Sequence, residues 1–222
     1  MSATILLAWL MLQGSRPAPA ARAPEPEPQA AEAVFSGPQK GEKAPSFQVI
    51  DVLGTRAKRE LDPTAEAGEG AALYFFFPSP NRLIARAINE IDAMASDAKE
   101  HGLRAYFVGL FPDRLEGEQR LRDVWTSLRP AAAPFVSVDG VEGPGSWGLN
   151  KKCLVTVVLV KGGRVAFNRA VLSPGQRDFD EIRAALSELV GHKVTSRPAQ
   201  GAGMRAMGGD DATSRPAKRP GG

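Results

Sequence analysis

Seven consecutive residues, Ala71–Phe77 (AALYFFF), carry nothing that needs water except one tyrosine hydroxyl. Gly70 precedes the run and Pro78 ends it. An apolar run of this length between chain breakers is expected as a central strand buried on both faces, as in a parallel sheet covered by helices. The residues that follow agree. Ser79 or Asn81 can cap a helix, and Pro80 is tolerated in a first turn. Leu83, Ala87, Ile91, Met94 and Ala98 recur at steps of three or four, which predicts one buried stripe on a helix over about 81–101 that ends at His101-Gly102. Glu90, Asp92 and Asp97 fall on the polar face of that helix and read as solvated.

The same alternation of periods continues along the chain. FQVIDV (Phe47–Val52) is a strand candidate closed by a Gly54 turn, and Leu103–Leu110 is a second buried strand. A helix over 115–128 places Leu121, Val124, Trp125 and Leu128 on one face and stops at Pro130. Pro134–Asp139 is a third core strand. The segments CLVTVVLV and RVAFNRAV flank Gly162-Gly163, whose freedom at positive φ suits a β-hairpin. A last helix over 178–190 buries Phe179, Ile182, Leu186 and Leu189, with Asp178 expected at its start and Gly191 at its end. Parallel strands joined by helices, then an antiparallel hairpin and a C-terminal helix, predict an α/β protein: a three-layer α/β/α sandwich around a central mixed sheet.

Composition sets the limits of the folded part. Residues 1–20 hold a short apolar core, Ile5–Leu12, followed by Ala18 and Ala20 in a small-x-small pattern, as in an export signal. Eight apolar residues are too few to span a bilayer, which takes roughly 20. Residues 21–40 are rich in Pro, Ala and Glu and read as an extended linker, and residues 193–222 read as a disordered basic tail. The tail sets six cations against two aspartates, a charge of +4 in a chain of net charge +3. The intervening domain, 41–192, is therefore near neutral, which argues against a nucleic-acid surface. The localisation expected is the periplasm or cell envelope.

The order of elements resembles the thioredoxin-like fold, and three segments resemble its redoxin branch. GEKAPSFQVIDVLGT resembles the opening of the thiol-specific antioxidant (peroxiredoxin, alkyl hydroperoxide reductase-like) proteins. LYFFFPSP resembles the strand that enters the active corner of peroxiredoxins and of exported thiol–disulfide oxidoreductases. CLVTVVLVKGGRVAF resembles the hairpin that follows the family's cis-proline. The resemblance covers about Gly41–Val190 and implies a thiol oxidoreductase or peroxidase.

The catalytic positions depart from that pattern. Counted from Pro78, the peroxiredoxin Thr and Cys places hold Arg82 and Ala85, and the Cys-x-x-Cys places hold Asn81 and Ile84. Leu154 stands about where the family has its proline. The family's chemistry needs a thiolate activated by a helix N-terminus, and neither Asn81 nor Ala85 can act as a nucleophile. Pro78, Ser79, Asn81, Arg82, Ala85 and Leu154 thus form a vestigial active corner. Cys153, the only cysteine, sits beside it as a weak candidate nucleophile, preceded by Lys151 and Lys152, which could lower its pKa.

No metal site is expected, because His101 and His192 lie at two helix ends without ligand-spaced partners and read as capping or exposed. No cofactor is expected. KGGR joins two strands and lacks a phosphate-loop ending. Trp125 and Trp147 read as packing residues, with Trp147, in a Gly-rich loop, a candidate exposed contact. Two readings remain. One is an exported redoxin-like domain that has lost thiol chemistry and binds a protein or small molecule. The alternative is a thiol-dependent oxidoreductase or peroxidase that uses Cys153 with a partner reductant.

Overall fold

The computed structural model describes residues 34–196; the expected export signal, residues 21–33 of the expected linker and all but the first residues of the basic tail lie outside the described residues. Seven strands form one mixed sheet: β1 (Val49–Asp51), β2 (Glu60–Leu61), β3 (Ala71–Phe77), β4 (Leu103–Gly109), β5 (Pro134–Ser137), β6 (Val155–Lys161) and β7 (Arg164–Val171). Their order is β2-β1-β5-β4-β3-β6-β7. The apolar run β3 is central, as expected. It pairs parallel with β4 from Ala71↔Leu103 to Phe77↔Gly109, and antiparallel with β6. β4 and β5 are parallel, β6 and β7 form the hairpin, and Gly162 and Gly163 supply its turn at φ 59° and 66°. The helices are α1 (Pro63–Ala67), α2 (Arg82–Lys99), α3 (Arg114–Leu128) and α4 (Gln176–Val190).

Two elements go beyond the sequence reading, the two-residue edge strand β2 and the single-turn α1. The turn has a local cause: Asp62 accepts hydrogen bonds from the Thr64 and Ala65 N–H groups, and Pro63 takes the first helical position.

The two faces of the sheet are covered unequally. Ile84, Ile88, Ile91 and Met94 of α2, Leu121 and Trp125 of α3, and Phe179, Ile182 and Leu186 of α4 share one core with Leu73, Phe75, Phe77, Phe107 and Leu159. The crossovers β3-α2-β4 and β4-α3-β5 step the same way across the sheet, and with the right-handed turn that such parallel connections almost always take, both helices fall on one side. The opposite face, with Tyr74, Phe76, Tyr106, Val108 and Val158, is closed by Ala44, Phe47, Ala67 of α1 and Trp147.

Several surface assignments change. Trp147 lies in a 3₁₀ turn (Gly145–Trp147) and is not an exposed contact: it is 2% exposed, and its Nε1–H donates to the Pro45 carbonyl at 2.9 Å. Leu83 is 45% exposed instead of buried. The true stripe begins at Ile84, and one residue is a 100° rotation on a helix. The acidic residues of α2 are structural ties. Asp92 accepts from the Ala131 and Ala132 N–H groups, both at 2.9 Å. Asp97 accepts from Thr195 N–H (2.8 Å) and Ser196 N–H (3.1 Å), so the chain stays ordered just past Val194. Glu90 faces Arg183 of α4 at 3.6 Å in a largely buried pair. Asp178 acts from the third helical position, accepting from Gly175 N–H at 2.9 Å. His101 and His192 are exposed, and their rings stack with centroids 3.9 Å apart.

Candidate functional site

The corner after β3 is built as its sequence prescribes. β3 stops at Phe77, whose carbonyl still accepts from Leu110 N–H at 2.9 Å, and Pro78 breaks the ladder. Asn81 is extended (φ −138°) and its Oδ1 accepts from Ile84 N–H at 3.0 Å, so it is the N-cap of α2. Ile84 is fully buried and Ala85 nearly so, whereas Ser79, Asn81 and Arg82 face solvent. Arg120 Nη1–H of α3 donates to Ser79 Oγ at 3.0 Å. The helix N-terminus that would stabilise a thiolate is partly spent on the Asn81 amide oxygen, and no anionic side chain lies in its first turn.

The opposite wall is the loop entering β6. Lys152 N–H donates to Asn150 Oδ1 at 3.0 Å and Cys153 N–H to the Asn150 carbonyl at 2.9 Å, a tight turn that presents the thiol inward. Leu154 N–H donates to the Val171 carbonyl at 2.8 Å. At the place the resemblance gives to proline, the chain thus makes a hairpin hydrogen bond that proline could not make.

Between the walls is a cavity of ≈ 130 Å³ lined among others by Phe76, Phe77, Pro78, Leu110, Cys153 and Thr156. Pro78 and Cys153 are brought together there. Ser79, Asn81, Arg82, Ala85 and Leu154 stand outside its lining. Burial pushes the Cys153 thiol up from its ordinary pKa, with a partly offsetting hydrogen bond from the Ser36 hydroxyl. The two lysines expected to lower it do not. Lys151 pairs with Glu142, and both lysine side chains are exposed. A thiol held above its usual range is protonated at neutral pH and is a poor nucleophile there. Among the described residues, no three His, Cys, Asp or Glu side chains gather into a group that could hold a metal ion.

Sequence reasoning missed two features of the site. The first is a buried polar cluster in which Ser36 Oγ and Thr156 Oγ1 lie 2.7 Å apart and Asn150 N–H donates to Ser36 Oγ at 2.9 Å. Thr156, the one hydroxyl inside CLVTVVLV, was its only local signal. The second is a set of exposed apolar side chains at the same end of the sheet as the cavity. Leu83 follows β3, Val138 and Val141 follow β5, and Leu172 follows β7, all at one end of the sheet, and each is between 40% and 54% exposed. Val141 also lines the cavity.

Neither a family model nor a curated protein sequence matches the chain. Solved structures do. The provisionally named thiol:disulfide interchange protein DsbE of Chlorobium tepidum superposes with a TM-score of 0.56 at 17% identity, covering 69% of this chain and 99% of that one. A provisionally named protein disulfide isomerase from Bacteroides thetaiotaomicron gives 0.57 at 12% identity, with 72% and 96% covered. The fold is thioredoxin-like. A thiol:disulfide interchange protein from a Bacteroides species agrees, with a TM-score of 0.51 at 15% identity over 68% and 90%. The thioredoxin-like frame is therefore present over nearly the whole length of these neighbours, while this chain's single cysteine lies on the β6 side of the corner and not at the start of α2. No described helix is long and apolar enough to cross a membrane.

Proposed function

We propose that this protein is an exported, redoxin-type binding module that has lost thiol chemistry and holds an apolar side chain of a partner polypeptide at the old active corner. The observation that carries this reading is a mostly apolar cavity, with Asn150, Lys151 and Thr156 among its lining, at the same end of the sheet as several exposed apolar side chains, at a corner whose thiol positions are Asn81, Ile84 and Ala85. An apolar cavity of about 150 Å³ accommodates a benzene-sized group, so ≈ 130 Å³ suits one aliphatic or small aromatic side chain. Leu83, Val138, Val141 and Leu172 give the flanking residues of such a partner something to cover. Export is supported by the apolar core and small residues near the N-terminus.

Selection of peptides from a displayed random library on the full chain tests this reading. The expected binders are rich in Leu, Ile or Phe, and they lose binding on Val141→Asp and on Leu83→Asp while tolerating Lys99→Ala at the far end of α2. Binders that survive both aspartate substitutions would place recognition elsewhere and end the proposal.

A further inference from the structure

The two walls of the cavity share a second chemical trait besides their apolar lining: both are cationic. β3 and β6 pair antiparallel up to Phe76↔Thr156, so the chain leaving β3 and the chain entering β6 emerge side by side at the cavity, which Pro78 and Cys153 both line. Residues 78–86 carry Arg82 and Arg86, residues 150–153 carry Lys151 and Lys152, and neither segment holds an acid. Arg120 of α3 brings a third guanidinium to the corner by donating to Ser79 Oγ.

Arg82 stands where helix electrostatics disfavours it. The N-terminal end of a helix carries partial positive charge, so carboxylates in the first turn stabilise and cations there do not. α1, α3 and α4 conform, with Glu66, Glu116 and Asp178 in their first turns. α2 is the exception: its first turn has no acid, and Arg82 takes the first helical position. Arg120 and Lys151 are balanced, by Glu116 at 2.7 Å and by Glu142. Arg82 and Lys152 are exposed, and among the described residues neither is engaged in an ion pair. The loop after β5 supplies the acids of this end, Asp139 and the engaged Glu142. Uncompensated positive charge therefore gathers on the α2 and β6 side of the cavity and raises the local concentration of anionic groups there. A charge kept where it weakens its own helix is the kind of local conflict expected at a recognition site.

We propose that the polypeptide held at the corner carries an acidic residue beside its apolar anchor, and that Arg82 and Lys152 receive this carboxylate while the cavity takes the apolar side chain. The inference rests on the binding role given to the corner above, and it names the partner's chemistry: Asp or Glu within a residue or two of Leu, Ile or Phe. Exposed charges act mainly on the rate of encounter and on its salt dependence, whereas the buried anchor sets how long the partner stays. An exposed ion pair contributes little by itself, so the two cations bias the choice of partner without replacing the anchor.

Selection from a displayed random peptide library tests this, run in parallel on the full chain, on its double variant Arg82→Glu/Lys152→Glu, and on Lys99→Glu at the far end of α2. Glutamate at the first position of α2 suits the helix dipole, so the double variant keeps its fold. The wild type and Lys99→Glu are expected to enrich Asp and Glu beside the apolar anchor. The double variant is expected to retain the Leu, Ile and Phe enrichment and to exchange the acids for Lys and Arg. For one peptide selected on the wild type, the double variant should lower the association rate roughly tenfold at low salt, with the difference shrinking as salt rises and the dissociation rate nearly unchanged. Apolar enrichment without acids would overturn this inference and leave the apolar binding role standing. No apolar enrichment would remove both. Acid enrichment that survives the double reversal would also overturn it, because the carboxylate would then be received elsewhere.

Discussion

Replacing Trp147 by Ala should remove more stability than any other single change on the thinly covered face. The ring is 2% exposed and packs on Phe47, Tyr74 and Phe76 with centroid separations of 5.0, 5.3 and 5.0 Å. A buried indole removes about 150–250 Å² from water, which at ~25 cal/mol per Å² is about 4–6 kcal/mol. The substitution also removes the shorter of two donors to the Pro45 carbonyl, leaving the Thr64 hydroxyl at 3.3 Å, at roughly 1 kcal/mol. The Gly145–Trp147 turn is a surface segment and can settle partly into the space, so the expected loss is about 3–5 kcal/mol, the usual range for Trp→Ala. Trp147→Phe keeps the aromatic contacts and loses the N–H donor, for about 1–2 kcal/mol. Urea unfolding followed by circular dichroism reads both, as a lower midpoint at unchanged slope. A loss below about 1 kcal/mol for Trp147→Ala would refute the argument that this one side chain closes the second face.

Two further outcomes follow from the ties around α2. The Thr195 and Ser196 N–H groups hold the Asp97 carboxyl below its ordinary range, so this tie is complete above about pH 3.9 and is lost as pH falls through the lower folded value. Amide exchange of Thr195 and Ser196, corrected for intrinsic rate, should be flat from pH 5 to 7 and lose protection only as pH falls below the ordinary carboxylate value of about 3.9; Asp97→Ala, which removes the acceptor, should show the unprotected level throughout. Asn81→Ala should cost about 1 kcal/mol by removing the cap on Ile84 N–H, and a thermal melt that does not move would show the cap to be idle.

The parts of the molecule that were legible in the sequence are those where one local signal decides. The uninterrupted run of β3, bounded by Gly70 and Pro78, pointed to a central strand, and the glycine pair at 162–163 suited a hairpin turn. Asn81 as a cap was readable because capping depends on a residue's own next turn. The side chains read wrongly have partners far away in sequence. Asp92 ties a loop 39 and 40 residues on and Asp97 a segment 98 residues on, and neither leaves a trace in helical periodicity. Leu83 was assigned to the core because its spacing to Ala87 and Ile91 fits a stripe; the stripe that packs is offset by one residue, and the displaced leucine joins the exposed apolar side chains at the cavity's end of the sheet. At the site, the missing thiols could be read by counting from Pro78. The cavity, the cluster around Ser36 and the engagement of Lys151 by Glu142 depend on contacts between the N-terminal segment, the loop before β6 and β7.

The central claim is that the corner keeps its frame without thiol catalysis. The direct measurement is turnover of hydrogen peroxide and of a protein disulfide by the full chain, with dithiothreitol as reductant, for the wild type and Cys153→Ser. The account predicts no protein-dependent turnover in either. Catalytic turnover by the wild type that disappears in Cys153→Ser would make Cys153 the nucleophile of a working enzyme and contradict it.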